Sequence, residues 1–439
     1  MNANVLPAAP AQAAAMKPSI LPLVVLAMTM FALTAPGQDG APPQARPQPP
    51  HRASGGRGRY SIEQATSDRA QLNTIAFDGL AFLTGEFCCD TFLPPGKVSD
   101  FFGFQNMRDV DVGGMGHNTS FLTRIANNTL RVLKDEQTAK LVALGNWQEA
   151  QIRELALKRF PLIQAFCRNL AGDIPAGSKG LDRAAVMKYS AGIFETSAEL
   201  AYQRAETTGQ IARSLTDGQR AELAKLKFGD SSTWPEFAET FDKRSVSHGV
   251  HVAVMTYASE FFSWYAGSVE ADTYFCPEGH GTYFGSFFMK DAPAVHQANY
   301  SISTSLTGDS GEAFLASLNP TQITSLLELQ RGDLQDTVKT RRAIATELRR
   351  FLTGSRADKD KVLELGRHYG ELDGELSFYY ATHFAEVNQT LSAEQRATLA
   401  KLRGLEGYSC SGAFIYGDPI ELPKIPNTDF LFEPVNSTR

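Results

Sequence analysis

The spacing of apolar residues predicts long helices in both halves of the chain. In the stretches 138–166 and 322–352, apolar residues recur three and four positions apart, which places them along one side of a helix. No long stretch shows the alternation of apolar and polar residues that a half-buried strand requires. The pattern therefore predicts an all-α protein.

Two parts of the chain repeat each other. The segment SLTDGQRAELAKL, which begins at Ser214, returns as TLSAEQRATLAKL beginning at Thr390. Farther upstream, CDTFLPP at Cys89 returns as ADTYFCP at Ala271, with a slightly larger offset between the two copies. Matches that keep one order along the chain indicate duplication of a helical module. We therefore expect two tandem helical-bundle units with pseudo-twofold symmetry: unit 1 at 61–230, a connector at 231–250, unit 2 at 251–408, and an extended C-terminal tail at 409–439.

The start of the chain has the composition of a leader followed by a linker. Lys17 precedes an apolar run at 20–35, which is shorter than a membrane-spanning helix requires. We therefore expect residues 1–35 to be a cleavable signal peptide and the protein to be periplasmic or secreted, with an uncleaved anchor as the alternative. Residues 36–60 are rich in Pro, Gly and Arg, which predicts a disordered tether.

The charge argues against one class of function, and the cysteine content permits disulfides. The net charge of −6, without dense runs of Lys and Arg, argues against nucleic-acid binding, which needs a concentrated basic surface. Five cysteines permit one or two disulfides in an oxidising compartment, and their spacing leaves the pairing open. They are Cys88, Cys89, Cys167, Cys276 and Cys410.

Four short elements, LKDEQ, LTDGQ, LNPTQ and LSAEQ, have the pattern of a helix start. The cap residue and the glutamine three positions later match a capping box, in which each side chain satisfies a free backbone N–H of the other residue. The first element departs from this pattern because lysine stands at its cap position, so its helix is expected to start near Asp135. The pairs are Lys134 and Gln137, Thr216 and Gln219, Asn319 and Gln322, and Ser392 and Gln395.

These elements resemble the LTxxQ signature of the Spy/CpxP-like periplasmic proteins. The resemblance covers about five residues at each element, together with the QRAxLAKL continuation. It implies an exported helical protein with an envelope-stress role, ATP-independent chaperone activity or metal-responsive behaviour. The present chain is much longer than a typical member of that family, and the rest of its sequence lies outside the resemblance.

The sequence predicts no cofactor outright, but two groups of residues have the ligand chemistry for a divalent metal. Glutamates stand four residues apart in each half, and pseudo-twofold packing would bring their carboxylates together, although a solvated acidic helix face is the other interpretation. The CPEGH and HGVH segments carry thiol and imidazole groups that suit zinc or copper, unless they serve as disulfide and surface residues. The candidates are Glu195, Glu199, Glu371, Glu375, His248, His251, Cys276 and His280.

Two long loops rich in aromatic residues, at about 87–118 and 270–303, form the predicted binding surface. Their rings are suited to contact a partner protein or an apolar ligand, or else to seal the open end of a bundle. The candidate residues are Phe102, Met107, Tyr274, Tyr283, Phe284, Phe287 and Met289.

The sequence carries none of the common catalytic signatures, such as a nucleophile elbow, a phosphate-binding loop, HExxH or a dinucleotide fingerprint. We therefore expect an exported, non-enzymatic helical binding protein that is chaperone-like or related to envelope stress. A zinc- or copper-binding periplasmic protein and an enzyme of an unrecognised class are the alternatives. The oligomeric state stays open, and a homodimer is one option.

Overall fold

The computed structural model consists mainly of long helices. It describes residues 120–227, 233–238, 241–266, 282–283, 314–403, 413–415, 418–421, 424 and 427–435, with single positions between 68 and 83. The described helices are α1 (Ser120–Val132), α2 (Asp135–Ala171), α3 (Arg183–Ser214), α4 (Asp217–Ala224), α5 (His248–Ala266), α6 (Thr321–Leu348), α7 (Lys359–Thr390) and α8 (Ala393–Arg403). The described strands are β1 (Ser178–Leu181), β2 (Thr282–Tyr283), β3 (Ala413–Ile415), β4 (Asp418–Ile420) and β5 (Phe432–Pro434).

The local sequence explains where the longest helices begin and end. Asp182 and Asp358 cap α3 and α7, because each carboxylate accepts a hydrogen bond from a backbone N–H of the first turn. Gly172 follows α2, and Gly354 follows the 3-10 turn after α6, with φ of 74° and 86°, a conformation that favours glycine. The predicted all-α fold is confirmed for the described residues.

The strands form two small antiparallel sheets. In one of them β1 pairs with β5, and in the other β3 lies between β2 and β4. Three of these strands lie within 409–439, the range in which the sequence predicts an extended tail. The described residues of that range also include the 3-10 turn Asp429–Leu431, which directly precedes β5.

Helices α3 and α7 pack antiparallel at the centre of the described structure. Gly366 of α7 lies against Ala198 of α3, and Gly374, two turns farther along α7, lies against Ser190. Midway between them, a Cβ atom at Gly370 would lie only 2.7–2.8 Å from three atoms of α3. The two backbones therefore approach as closely as they do because glycine occupies these positions.

A bundle of helices surrounds each of these two central helices. In bundle A, α2 and α5 pack on α3, α1 packs on α5, and α4 is joined to the end of α1. In bundle B, α6 packs on α7, and Gln395 of α8 bonds to the residues that precede α6. The helical residues between 68 and 83 also belong to bundle B. The rings of Phe82 and Phe384 lie 5.9 Å apart, and Asp68 forms an ion pair with Arg331 at 2.7 Å.

This arrangement exchanges the first helices of the sequence ranges 61–230 and 251–408. Helix α5 opens the second range but lies in bundle A, whereas residues 68–83 open the first range but lie in bundle B. Both aromatic loop ranges follow these helices along the chain. In each case the described helix before the loop lies in one bundle and the described helix after it lies in the other.

Among the helices that the structure describes, none combines the length and the apolar character needed to cross a membrane. The predicted signal peptide, 1–35, and the predicted tether, 36–60, lie outside the described residues.

Candidate functional site

The LTxxQ glutamines of bundle A bind each other as well as their own helix starts. Gln219 accepts a hydrogen bond from the Thr216 N–H at 3.0 Å, and Gln137 accepts one from the Lys134 N–H at 2.8 Å. The Gln219 amide then donates to the Gln137 side-chain oxygen at 2.7 Å and to the Val132 carbonyl at 2.8 Å. This network joins the end of α1 to the starts of α2 and α4. Lys134 takes the cap position of α2 although lysine departs from the pattern, and the helix runs from Asp135.

Bundle B contains the same network. Gln322 accepts from the Asn319 N–H at 2.8 Å, and Gln395 accepts from the Ser392 N–H at 2.9 Å. The Gln395 amide donates to the Gln322 side-chain oxygen at 3.4 Å and to the Ser317 carbonyl at 3.0 Å. The capping boxes predicted at Thr216, Asn319 and Ser392 are confirmed, and these glutamines fasten helix ends together.

The repeated glutamates make ion pairs across the α3–α7 contact. Glu199 lies 2.8 Å from the ammonium group of Lys359, and Glu375 is buried beside the guanidinium group of Arg183. The hydroxyl of Tyr379 also donates to Glu375 at 2.7 Å. These two carboxylates therefore neutralise bases at the starts of the opposite helices.

The other two repeated glutamates lie one turn earlier on the same helices. Glu195 lies 3.6 Å from the guanidinium group of Arg367, and Glu371 lies 3.5 Å from the imidazole of His368 one turn earlier. Each of the four candidate carboxylates thus faces a base or a histidine. Among the residues that the structure describes, no three His, Cys, Asp or Glu side chains are grouped as metal ligands.

The remaining metal candidates are divided between described and undescribed parts of the chain. His248 is the first residue of α5, and the ring of His251 stacks on Phe241 at 6.0 Å. Cys276 and His280 lie outside the described residues, so a zinc or copper site that includes them stays a prediction.

Most of the aromatic candidates also lie outside the described residues. Tyr283 lies in β2, where its backbone pairs with that of Phe414. The structure does not describe Phe102, Met107, Tyr274, Phe284, Phe287 and Met289.

Bundle A holds a buried polar cluster that sequence reasoning missed. Arg204 of α3 and Glu260 of α5 form an ion pair whose side chains are only 5% and 6% exposed. Arg204 also lies over the ring of Tyr257 at 5.2 Å, and the Tyr257 hydroxyl donates to Gln148. Burial raises the pKa of Glu260, and the opposing effect of Arg204 is smaller.

One sequence signal marks this cluster. Arg204 lies one turn after Leu200, and Glu260 lies one turn before Trp264, so each charge stands on a helix face beside a buried apolar residue. Buried charges of this kind need partners, and they pair here between helices that are distant in sequence.

A second buried carboxylate, Glu347, bonds to residues on both sides of the connection from α6 to α7. It accepts hydrogen bonds from the Asp358 backbone N–H at 2.9 Å and from the Lys361 ammonium group at 3.0 Å, and it pairs with Arg350. Burial alone would raise the pKa of Glu347, but these hydrogen bonds outweigh burial and lower the pKa to about 2.

We expect the contribution of Glu347 to stability to depend on pH. Because its folded-state pKa lies below the ordinary value of 4.5, the ionised group stabilises the fold above that pH, and this contribution is lost as the pH falls toward about 2. Glu347→Gln should lower the free energy of unfolding by roughly 1–2 kcal/mol at pH 7, allowing for solvent screening. Urea unfolding from pH 7 downward should show the difference shrinking below pH 4.5, whereas exposed Glu328→Gln should show little difference at any pH. A difference for Glu347→Gln that is independent of pH would contradict this prediction.

A long helix in each bundle exposes a large apolar side chain. Trp147 on α2 is 41% exposed, and Leu329 on α6 is 52% exposed. These two positions keep the offset that relates Cys89 to Ala271. The residues that follow them, Gln148 and Gln330, are both fully buried. The two helices therefore present corresponding faces to solvent, each with an apolar residue on it.

Comparison with protein-family models, with curated proteins and with solved structures gives no match for this chain. Function is therefore inferred from the chain's own residues and contacts.

Proposed function

We propose that this chain is an exported, non-enzymatic binding protein that holds apolar segments of client proteins, and that it arose by duplication of one helical module. Export is supported by Lys17 and the apolar run that follows it. The observation that carries the binding function is the matched exposure of Trp147 and Leu329.

The ion pairs between α3 and α7 support the duplication. Lys359 is the counterpart of Arg183 in the repeat, and Glu375 is the counterpart of Glu199, because both pairs keep the offset that relates Ser214 to Thr390. The pairs Lys359–Glu199 and Arg183–Glu375 are therefore the same contact with the two helices interchanged. A twofold relation between two copies requires such reciprocal pairs.

The glycine contact supports the same relation. Gly370 lies against Phe194, and these two residues also keep that offset, so each contacts its own equivalent. Residues of this kind lie on a twofold axis, which would therefore pass between the middles of α3 and α7. The matching glutamine networks at the ends of bundles A and B agree with it.

Client binding through Trp147 and Leu329 follows from the duplication. An isolated exposed apolar residue needs no explanation, but apolar residues at corresponding surface positions of two copies indicate that the surface has a use. Two such positions on one chain would hold two apolar segments of an unfolded client, or two points along one segment, with the gain in affinity that comes from linked sites.

We expect the purified protein, at stoichiometric amounts, to suppress the aggregation of heat-denatured citrate synthase measured by light scattering. Each exposed side chain should contribute roughly 1 kcal/mol, so Trp147→Ala or Leu329→Ala should each raise the concentration needed for half suppression about fivefold. The double variant should be weaker than either single variant.

Matched controls are Glu149→Ala and Glu328→Ala, which alter exposed polar positions on the same helices. Thermal unfolding of each variant separates loss of binding from loss of fold. The proposal would be refuted if the wild-type protein left aggregation unchanged, or if a folded double variant were as active as these controls.

A further inference from the structure

The segment 427–435 lies in a groove on bundle A, beside the connection between α2 and α3. Its strand β5 pairs with β1, with Ser178 opposite Pro434 and Leu181 opposite Phe432. The Asp182 N–H donates to the Leu431 carbonyl at 2.8 Å, just beyond the strand. The segment is therefore held as an added strand, as extended peptides are held by peptide-binding domains.

One arginine recognises three side chains of this segment. The Arg168 guanidinium group donates to the Thr428 hydroxyl at 2.9 Å and to the Asp429 carboxylate at 2.8 Å. It also lies over the ring of Phe432 at 5.0 Å. The hydrogen bond from Arg168 lowers the pKa of Asp429, because it favours the ionised carboxylate.

Apolar side chains complete the contact. Leu431 is fully buried, Phe432 is nearly so, and the ring of Phe430 lies 5.6 Å from that of Tyr189 on α3. Main-chain pairing supplies affinity for any extended chain, whereas the buried leucine and the arginine supply selectivity for sequence. The groove thus binds a short sequence in this order: a residue with a hydroxyl group, an acidic residue, any residue, leucine and phenylalanine.

In the corresponding connection of bundle B, a side chain at the end of α6 takes the place of the added strand. There the N–H of the cap residue Asp358 donates to the carboxylate of Glu347, whereas in bundle A the N–H of Asp182 donates to the Leu431 carbonyl. At the position that corresponds to Glu347, bundle A has Ala165, whose side chain carries no acceptor. The connection in bundle A is also longer, and β1 lies in it. Of these two connections, therefore, the one in bundle A offers both a backbone N–H and a strand edge to an incoming peptide.

We propose that this groove is a peptide-recognition site whose resident ligand is the segment 427–435. A partner protein with an extended segment of the same chemistry, Ser or Thr followed by Asp-x-Leu-Phe, enters it by displacing the resident segment. This site is separate from Trp147 and Leu329, and it selects for sequence, whereas those positions select only for apolar character.

The test uses the full chain and a fluorescein-labelled peptide of sequence KIPNTDFLFEPV, with binding followed by fluorescence anisotropy. In the wild type the resident segment competes at an effective concentration on the order of millimolar, so binding should be weak. Leu431→Ala weakens the resident segment and leaves the groove intact, so apparent affinity should rise at least about tenfold. Asp429→Asn, a substitution at an exposed carboxylate, should raise it about threefold.

Two variants made in the Leu431→Ala chain separate the groove from the rest of the protein. Arg168→Ala should abolish the gained binding, whereas Arg350→Ala, at the corresponding position of bundle B, should leave it unchanged. A peptide with Asn and Ala in place of its Asp and Leu should not bind. Failure of both Leu431→Ala and Asp429→Asn to bind the peptide, with wild-type helicity by circular dichroism, would overturn the proposal. The proposal would also be overturned if the Leu431→Ala chain bound the peptide no more tightly than the wild type does, or if adding Arg168→Ala left that binding unchanged.

Discussion

Arg204→Met is expected to lower the free energy of unfolding by about 3–5 kcal/mol, because it leaves the Glu260 carboxylate buried without its partner. Removing both charges avoids that cost. The double variant Arg204→Met/Glu260→Met should therefore be within about 1–2 kcal/mol of wild type or more stable, since apolar side chains often replace a buried ion pair well. Urea unfolding followed by circular dichroism measures all three proteins.

The exposed pair Lys225–Glu222 provides the matched control. Its side chains are mostly exposed, so Lys225→Met should change stability little. If Arg204→Met cost no more than Lys225→Met, or if the double variant were less stable than Arg204→Met, the Arg204–Glu260 pair would not carry the role assigned to it.

Gly370→Ala is expected to destabilise the protein by about 2–3 kcal/mol, although alanine is the better helix former. The new methyl group would meet the Phe194 Cβ, the Ala191 Cα and the Ser190 carbonyl oxygen, and two of these three atoms are backbone. Relief requires α3 and α7 to move apart, which puts the cost at the upper end of that for overpacked cores. Thermal and urea unfolding report the change.

Gly332→Ala in α6 is the control, because nothing lies within 4 Å of the added methyl group. It should stabilise the protein by up to about 1 kcal/mol, through helix propensity alone. If Gly370→Ala lowers the free energy of unfolding and Gly332→Ala raises it, the close approach of α3 and α7 depends on glycine. Equal effects of the two substitutions would contradict that view.

Local rules were enough to predict the helix starts at the LTxxQ elements. A capping residue acts on its own backbone, so Thr216 and Ser392 can be interpreted without knowing the rest of the fold. The same holds for the helical character of 138–166 and 322–352, which depends only on the spacing of apolar residues.

The partners of those helices could not be predicted in this way. An apolar stripe indicates that a helix is buried but does not say against which neighbour, so α5 and residues 68–83 gave no sign of their exchange. The repeated glutamates were correctly placed on helix faces, but their spacing could not reveal that Lys359 and Arg183 stand opposite Glu199 and Glu375. The strand pairing of 432–434 with 178–181 is equally nonlocal.

The exchanged first helices affect how the chain folds as it leaves the ribosome. Bundle A needs α5, so it cannot close until Ala266 has been made, and residues 68–83 stay without their partners until synthesis passes α7. Contacts between such distant parts of a chain form slowly and leave apolar surfaces open meanwhile. A chain exported before it folds would reach its destination with all of these helices already synthesised, and both bundles could then assemble in one step.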